Sequence, residues 1–419
     1  MNFIPISDEE RREMLKRIGV ASVEELLAEV KPKAGELNLP EPMSELELIS
    51  HMRFLSSKNS PMKNFIGAGA YDHFIPSAVK HILSRAEFYT AYTPYQAEIS
   101  QGILQAMYEF QTYVCMLTGC DIANASMYDG ASSLAESAFL ASSATGKSEI
   151  AVLNDLHPHY KQTLATYCNA KGLKITDGIN ENTACAIIQN PDFYGNAYDI
   201  RAYAEEAHGK DALLIACVVE STSLALIEPP AKLGADIVVG ECQPLGIPLS
   251  YGGPYAGFFA VKKEYMKNIP GRLSGMTVDT EGKRGFILTL QAREQHIRRE
   301  RASSNICSNE QLCALACTVY LSLLGSKGLR AVAKSSYARA HELAEKLEGL
   351  GFTIENKRPF YNEFVAKSPV PVRRLQSELA KNKILAGFRL DSERLLLCCT
   401  EKTTHEDIDE FIKIVGGLI

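Results

Sequence analysis

ADIVVGECQPLGIPLSYGGPYAGFFA, residues Ala235–Ala260, decides the fold. Ala235–Gly240 and Ala256–Val261 are short apolar runs, joined by an irregular turn rich in Pro and Gly. Runs that are apolar at nearly every residue, rather than at every second one, belong to strands buried on both faces of a parallel or mixed sheet. Gly252, Gly253 and Gly257 carry no Cβ, so the backbone of this turn can approach another chain or a small molecule closely.

Upstream, strand-like runs recur at 150–154, 173–177, 184–189 and 213–220, with helical stretches between several of them. That alternation predicts a largely parallel sheet covered on both faces, of the α/β class. Downstream, FFAVKKEYM resembles a returning strand, and PGRLSGMTVDTEGKRGFILTL reads as a polar excursion. A long apolar helix follows, capped by Ser308 or Asn309. Residues 330–419 then change character: helix, strands GFTIEN and NEFVAKS, helix, strands ILAGFRL and RLLLCCT, and a last helix opened by Thr403 and Thr404. The expected organisation is a helical arm (1–64), a large α/β domain (65–329) and a small C-terminal α/β domain (330–419). In the arm, Ser7, Ser22 and Ser44 are expected N-caps and Gly19 a stop. Such an arm packs on a neighbouring subunit or across its own domain, the alternative being a solvated linker.

The chain has 419 residues, 46% hydrophobic and 22% charged, enough for a substantial core. A net charge of -6 opposes general nucleic-acid binding, which shows a basic balance. No apolar run reaches membrane-spanning length, and the opening residues alternate acidic and basic charge. The chain therefore reads as cytoplasmic. The eleven cysteines are scattered through apolar runs without a CxxC pair, which fits buried free thiols better than disulfides or zinc. Cys313 and Cys317 read as core.

Several motifs carry possible chemistry. FIGAGAYDHFIP resembles a nucleotide fingerprint, but Asp72 stands where its last glycine belongs. GKS at Gly146 lacks the earlier glycine of a phosphate loop and reads as a helix end. Asp129 and Gly130 open a helix whose free amides, with Ser132 and Ser133, could hold a phosphate; capping by Asp129 accounts for the same residues. Tyr92, Tyr95, Gln96 and Glu98 lie on an irregular segment before a long helix, and such groups line pockets or interfaces unless the loop is satisfied within its own domain. QAREQHIRRERASSN, with Arg293, His296, Arg298, Arg299, Arg301 and Asn305, is too polar for core; it is an anion site, an interface or a solvated face.

The central strand also bears comparison with enzymes that carry pyridoxal phosphate. There such a strand delivers a lysine that forms an imine, just before a Gly-rich turn. Here Gln243 holds that place, and an amide cannot form an imine. Glu220 ends the strand where that fold presents an aspartate to the pyridine nitrogen. His157 lies where a ring would stack on the cofactor; with His159 it supplies too few ligands for a metal.

NFIGAGAYDHFIP (64–76), AYTPYQAEISQG (91–102), NASMYDGASSLAE (124–136), IIQNPDFYG (187–195), LGIPLSYGGPYAGFFA (245–260) and LQAREQHIRRERASSNICSN (290–309) together resemble the N-terminal half, or separate alpha subunit, of the P-proteins of the glycine cleavage system. The likeness spans essentially the whole chain. It implies a pyridoxal-phosphate fold-type I architecture with its own site degenerate, so that this chain binds no cofactor or metal. It also implies a beta-subunit partner holding pyridoxal phosphate, in an alpha2-beta2 assembly that decarboxylates glycine and passes the aminomethyl group to the lipoyl arm of H-protein. On that reading Tyr92, Tyr95, Gln96 and Glu98 contribute to the partner's site, and Arg298, Arg299, Arg301 and Asn305 support the interface or the lipoyl channel. The alternative is a structural scaffold for the partner and for H-protein.

Overall fold

A computed structural model describes residues 5–30, 38–306 and 310–419. The chain separates into two compact units, Met1–Ser60 and Pro61–Ile419.

In the first unit, local capping chemistry sets the helices. Ser7 and Ser44 each close a capping box, with Glu10 and Glu47, at the starts of Asp8–Ile18 and Glu45–Ser57. Gly19 ends the first of these helices in the left-handed region. Ser22 caps only the four-residue turn Val23–Leu26, shorter than its sequence suggests. None of the three helices buries a residue, and Met14, Ile18, Leu46 and Phe54 are exposed.

The second unit is built on a seven-stranded sheet. Its strands run in the order Ile122–Ala123, Gly257–Val261, Ile237–Glu241, Leu213–Val218, Thr183–Gln189, Glu149–Val152 and Lys174–Thr176. The five strands from Ile237–Glu241 to Lys174–Thr176 are mutually parallel, while Gly257–Val261 returns antiparallel. Every residue of 183–189, 213–218, 237–241 and 257–261 is buried, as continuous apolar runs require when both faces are covered. Two core clusters lie on the two faces, one around Phe110, Phe258 and Tyr320, the other around Leu134, Ile187 and Phe259.

The polar excursion after the sheet is instead a β-hairpin, Leu273–Val278 paired with Arg284–Thr289. Its buried residues Phe286 and Leu288 pack on Leu104 and Met107, while its outer end is exposed, which hides the alternation in a single sequence. The helix Gln311–Glu348 runs through the expected boundary at 329/330 and is interrupted at Gly325. Its expected caps, Ser308 and Asn309, lie outside the described residues. By length and hydropathy it could cross a bilayer, contrary to the reading of its sequence. Its buried residues Ala314, Cys317, Tyr320 and Leu321 belong to the core instead.

A four-stranded antiparallel sheet follows, ordered Thr353–Ile354, Glu363–Lys367, Arg394–Cys398, Phe388–Arg389. The expected strand ILAGFRL is split in two. Ile384–Leu385 pairs with Lys63–Asn64, and only Phe388–Arg389 joins this sheet. At the split stands Gly387, whose backbone lies so close to Leu396 that a Cβ would meet its carbonyl. Lys63–Phe65 thus enters the C-terminal core, where Phe65 packs on Phe411 at 4.8 Å between ring centroids.

Candidate functional site

The carboxyl ends of the parallel strands carry the loops where ligands bind in open α/β sheets. His157 follows the strand Glu149–Val152, Glu220 follows Leu213–Val218, and Gln243 follows Ile237–Glu241. The helix Gly130–Thr145 starts beside them, since the Gly130 amide reaches the Glu241 carboxyl at 3.0 Å. Four positions far apart in sequence therefore converge on one cleft.

Each position is bonded to protein. Asp129 caps the helix in a capping box with Ser132, and Glu241 takes the Gly130 amide as well as those of Cys242 and Gln243. Burial pushes the Glu241 carboxyl up to about 8, against the pull of these N–H donors. A Cβ at Gly130 would overlap the Tyr160 hydroxyl, so the helix start has little room. His157 Nε2 lies 2.9 Å from the Ala68 carbonyl, and its ring meets Phe193 edge-on. Gln243 is 2% exposed; its Oε1 accepts from the Tyr71 amide at 2.8 Å and its Nε2 donates to the Tyr71 carbonyl at 2.9 Å.

Glu220 faces His73. The imidazole is buried between two carboxylates, with Nε2 3.0 Å from Glu220 and Nδ1 2.6 Å from Glu401. Burial alone would depress its pKa, but the two acids outweigh it and raise it to about 10. His73 is therefore an imidazolium at neutral pH. Glu220 also accepts from the backbone and hydroxyl of Thr222. Nearby, Glu363 accepts from the Ala68 amide at 2.6 Å and from the Tyr71 hydroxyl at 3.0 Å.

Pyridoxal phosphate, which the fold implies, does not fit these residues. There is no amine at 243, the amide at the helix start is taken, and the acid at 220 is paired with a histidine of the same chain. Of the residues responsible, Tyr71, His73, Glu363 and Glu401 escaped the sequence reading. The available signal was Tyr71 and His73 within AYDH, beside the glycines of a rejected fingerprint; the two distant glutamates gave none.

A second cluster joins two motifs. The Tyr95 ring lies 5.3 Å from that of His296 and 5.5 Å from the Arg272 guanidinium, and Arg272 Nη2 donates to the Tyr95 hydroxyl at 3.2 Å. Buried Glu294 pairs with Arg272 at 3.7 Å and with His296 at 3.5 Å. Glu294 thus corrects the expectation that the arginine segment holds no core, and Arg293 is partly sunk, donating to the carbonyls of Ile269 and Gly271. Tyr92, Gln96 and Glu98 are exposed beside Tyr95. Arg298, Arg299, Arg301 and Asn305 are exposed as well. Arg298 lines a hollow of about 410 Å³ with Glu136, Lys171 and Ser304. Arg299 and Asn305 line its neighbour. Burial pushes the Glu136 carboxyl up to about 7.

Comparison with known proteins gives the family. The sequence profile of the family described as "Glycine cleavage system P-protein" matches residues 1–415. A protein of Desulforamulus reducens called "Probable glycine dehydrogenase (decarboxylating) subunit 1" is 46% identical over 446 residues, covering 100% of both chains. A Desulfitobacterium hafniense protein of the same name is equally similar over the same length. Among solved structures, glycine decarboxylase (P-protein) of the glycine cleavage system in inhibitor-bound form superposes with TM-score 0.91 at 41% identity, covering 100% of each chain. A sphingosine-1-phosphate lyase of Burkholderia pseudomallei shares the fold alone, with TM-score 0.65 at 14% identity over 93% of each chain. The expected fold-type I architecture is therefore present, and the chain belongs to the glycine cleavage system P-protein family.

Proposed function

We propose that this chain acts as glycine dehydrogenase (decarboxylating) subunit 1: silent in its own cleft, and required by a partner subunit that holds pyridoxal phosphate. The observation that supports this reading is Gln243, which we assign to the imine-forming position and whose amide is bonded at both ends to Tyr71. The partner decarboxylates glycine, with the cofactor as electron sink, and the aminomethyl group passes to the lipoyl arm of H-protein.

This chain's contribution is positional. The Tyr95–His296 pair rests on the buried Arg272–Glu294 pair, which holds Tyr95 in place on the exposed segment that also carries Tyr92, Gln96 and Glu98. That face supports a role in completing the partner's site. Arg298, Arg299, Arg301 and Asn305 offer cations and an amide to the same interface or to the lipoyl channel, and the apolar residues of the arm supply further contact area in an alpha2-beta2 assembly. The ten cysteines among the described residues are all free thiols, which supports a reducing, cytoplasmic setting.

Glycine–bicarbonate carbon exchange tests the reading, with H-protein present, for this chain alone, the partner alone and the mixture. Exchange only in the mixture is expected. Exchange by this chain alone would overturn it.

A further inference from the structure

A pyridoxal phosphate in this cleft would need four things: free amides at the Gly130 helix start for its phosphate, a ring at 157 to stack on, an acid at 220 for its pyridine nitrogen and an amine at 243 for its aldehyde. Three of these four positions meet a single segment, Ala68–His73. The Ala68 carbonyl lies on His157, the Tyr71 backbone on Gln243 and the His73 ring on Glu220. Glu241 takes the fourth.

The same segment is bonded with equal care to the C-terminal side. Glu363 holds Ala68 and Tyr71, Thr400 donates to the Asp72 carbonyl at 2.9 Å, Lys402 pairs with the Asp72 carboxylate at 2.7 Å, and Glu401 takes His73 and the Phe74 amide. The fit is tight enough to dictate glycine. A Cβ at Gly69, whose φ is +98°, would lie 2.5 Å from His157 Nε2; one at Gly67 would lie 2.5 Å from Glu363.

We propose that Ala68–His73 is an internal occupant of the cleft, a strap whose His73 imidazole takes the place of a cofactor's pyridine nitrogen and whose Tyr71 backbone takes the place of its aldehyde. The strap pins the four-stranded sheet to the seven-stranded sheet, so this chain presents its partner with a fixed rather than a closing surface. This rests on the reading of the cleft as silent and goes further: restoring a lysine at 243 does not restore cofactor binding, because protein already fills the position.

Hydrogen exchange on the full chain in complex with its partner subunit, with and without added pyridoxal phosphate, reads the strap directly. The Ala68 and Tyr71 amides are expected to exchange at least about a hundredfold more slowly than an unstructured chain, unaffected by the cofactor. Gln243→Ala should speed exchange at Tyr71 at least about tenfold. A Gln243→Lys chain is expected to give no imine absorbance with pyridoxal phosphate. Fast exchange of Tyr71 in the unmutated chain would overturn the strap, as would an imine in Gln243→Lys. An imine in the isolated unmutated chain would overturn the silent cleft itself, so the two failures are distinguishable.

Discussion

Gln243 clamps Tyr71 by its backbone, accepting from its amide and donating to its carbonyl, although 172 residues separate the two in sequence. A side-chain amide matches a peptide group donor for acceptor, which a lysine could not do. Its Nε2 also donates to the Ile247 carbonyl, so the side chain ties the strap, the central strand and the turn after it.

The His73 imidazolium lies between Glu220 and Glu401. Removing one member of a buried ionic cluster strands the remaining charges, at about 3–5 kcal/mol. Denaturant unfolding of His73→Ala is expected to show a loss in that range. A loss below about 1 kcal/mol would mean that the cluster relaxes or hydrates freely.

Glu363 gives a pH signature. Burial chiefly, with Glu220 and Asp192 adding to it, raises its pKa from 4.5 to about 8, against the Ala68 amide and the Tyr71 hydroxyl. Between those values the folded chain keeps a proton that the unfolded chain has released. Its stabilising contribution is thus complete below pH 4.5 and is lost as pH rises through about 8. Relative to Glu363→Gln, the natural chain should lose up to about 1.4 kcal/mol per pH unit between pH 6 and 8, then level off. Unfolding curves at four pH values would check this, and parallel trends in the two proteins would refute it.

Gly69 combines a left-handed backbone with the close approach of His157. Strain and overpacking each cost about 1–3 kcal/mol, so Gly69→Ala should lower stability by at least that range. A melting temperature within error of the natural chain would show that the strap yields.

Tyr95 is 47% exposed, and its hydroxyl accepts from Arg272 of the buried Arg272–Glu294 pair beneath it. Tyr95→Ala should lower carbon exchange of the mixed subunits about tenfold or more, equivalent to about 1.4 kcal/mol in the barrier, while shifting the stability of this chain by under about 1 kcal/mol. Unchanged exchange would remove Tyr95 from the partner's site and favour the scaffold reading.

Local chemistry was legible in the sequence. Ser7, Ser44, Asp129 and Thr404 cap helices where their spacing to the first turn says they should, because a cap joins residues three apart. The strands of the main sheet were legible for a similar reason: burial on both faces leaves an unbroken apolar run. The hairpin at 273–289 was not, because one face and its outer end meet water. The split of ILAGFRL was not either, because only the approach of Lys63–Asn64 decides it.

By itself the sequence determined the class of fold and the identity of residue 243, a glutamine whose amide forms no imine wherever the residue lies. The tertiary structure alone decided what stands in the cleft. Ala68, Tyr71 and His73 meet Glu363, Gln243 and Glu220 across intervals of 295, 172 and 147 residues. A hydrogen bond reaches about 3 Å, so such pairs form only when the sheets bring their backbones together, and no local pattern along the chain records them.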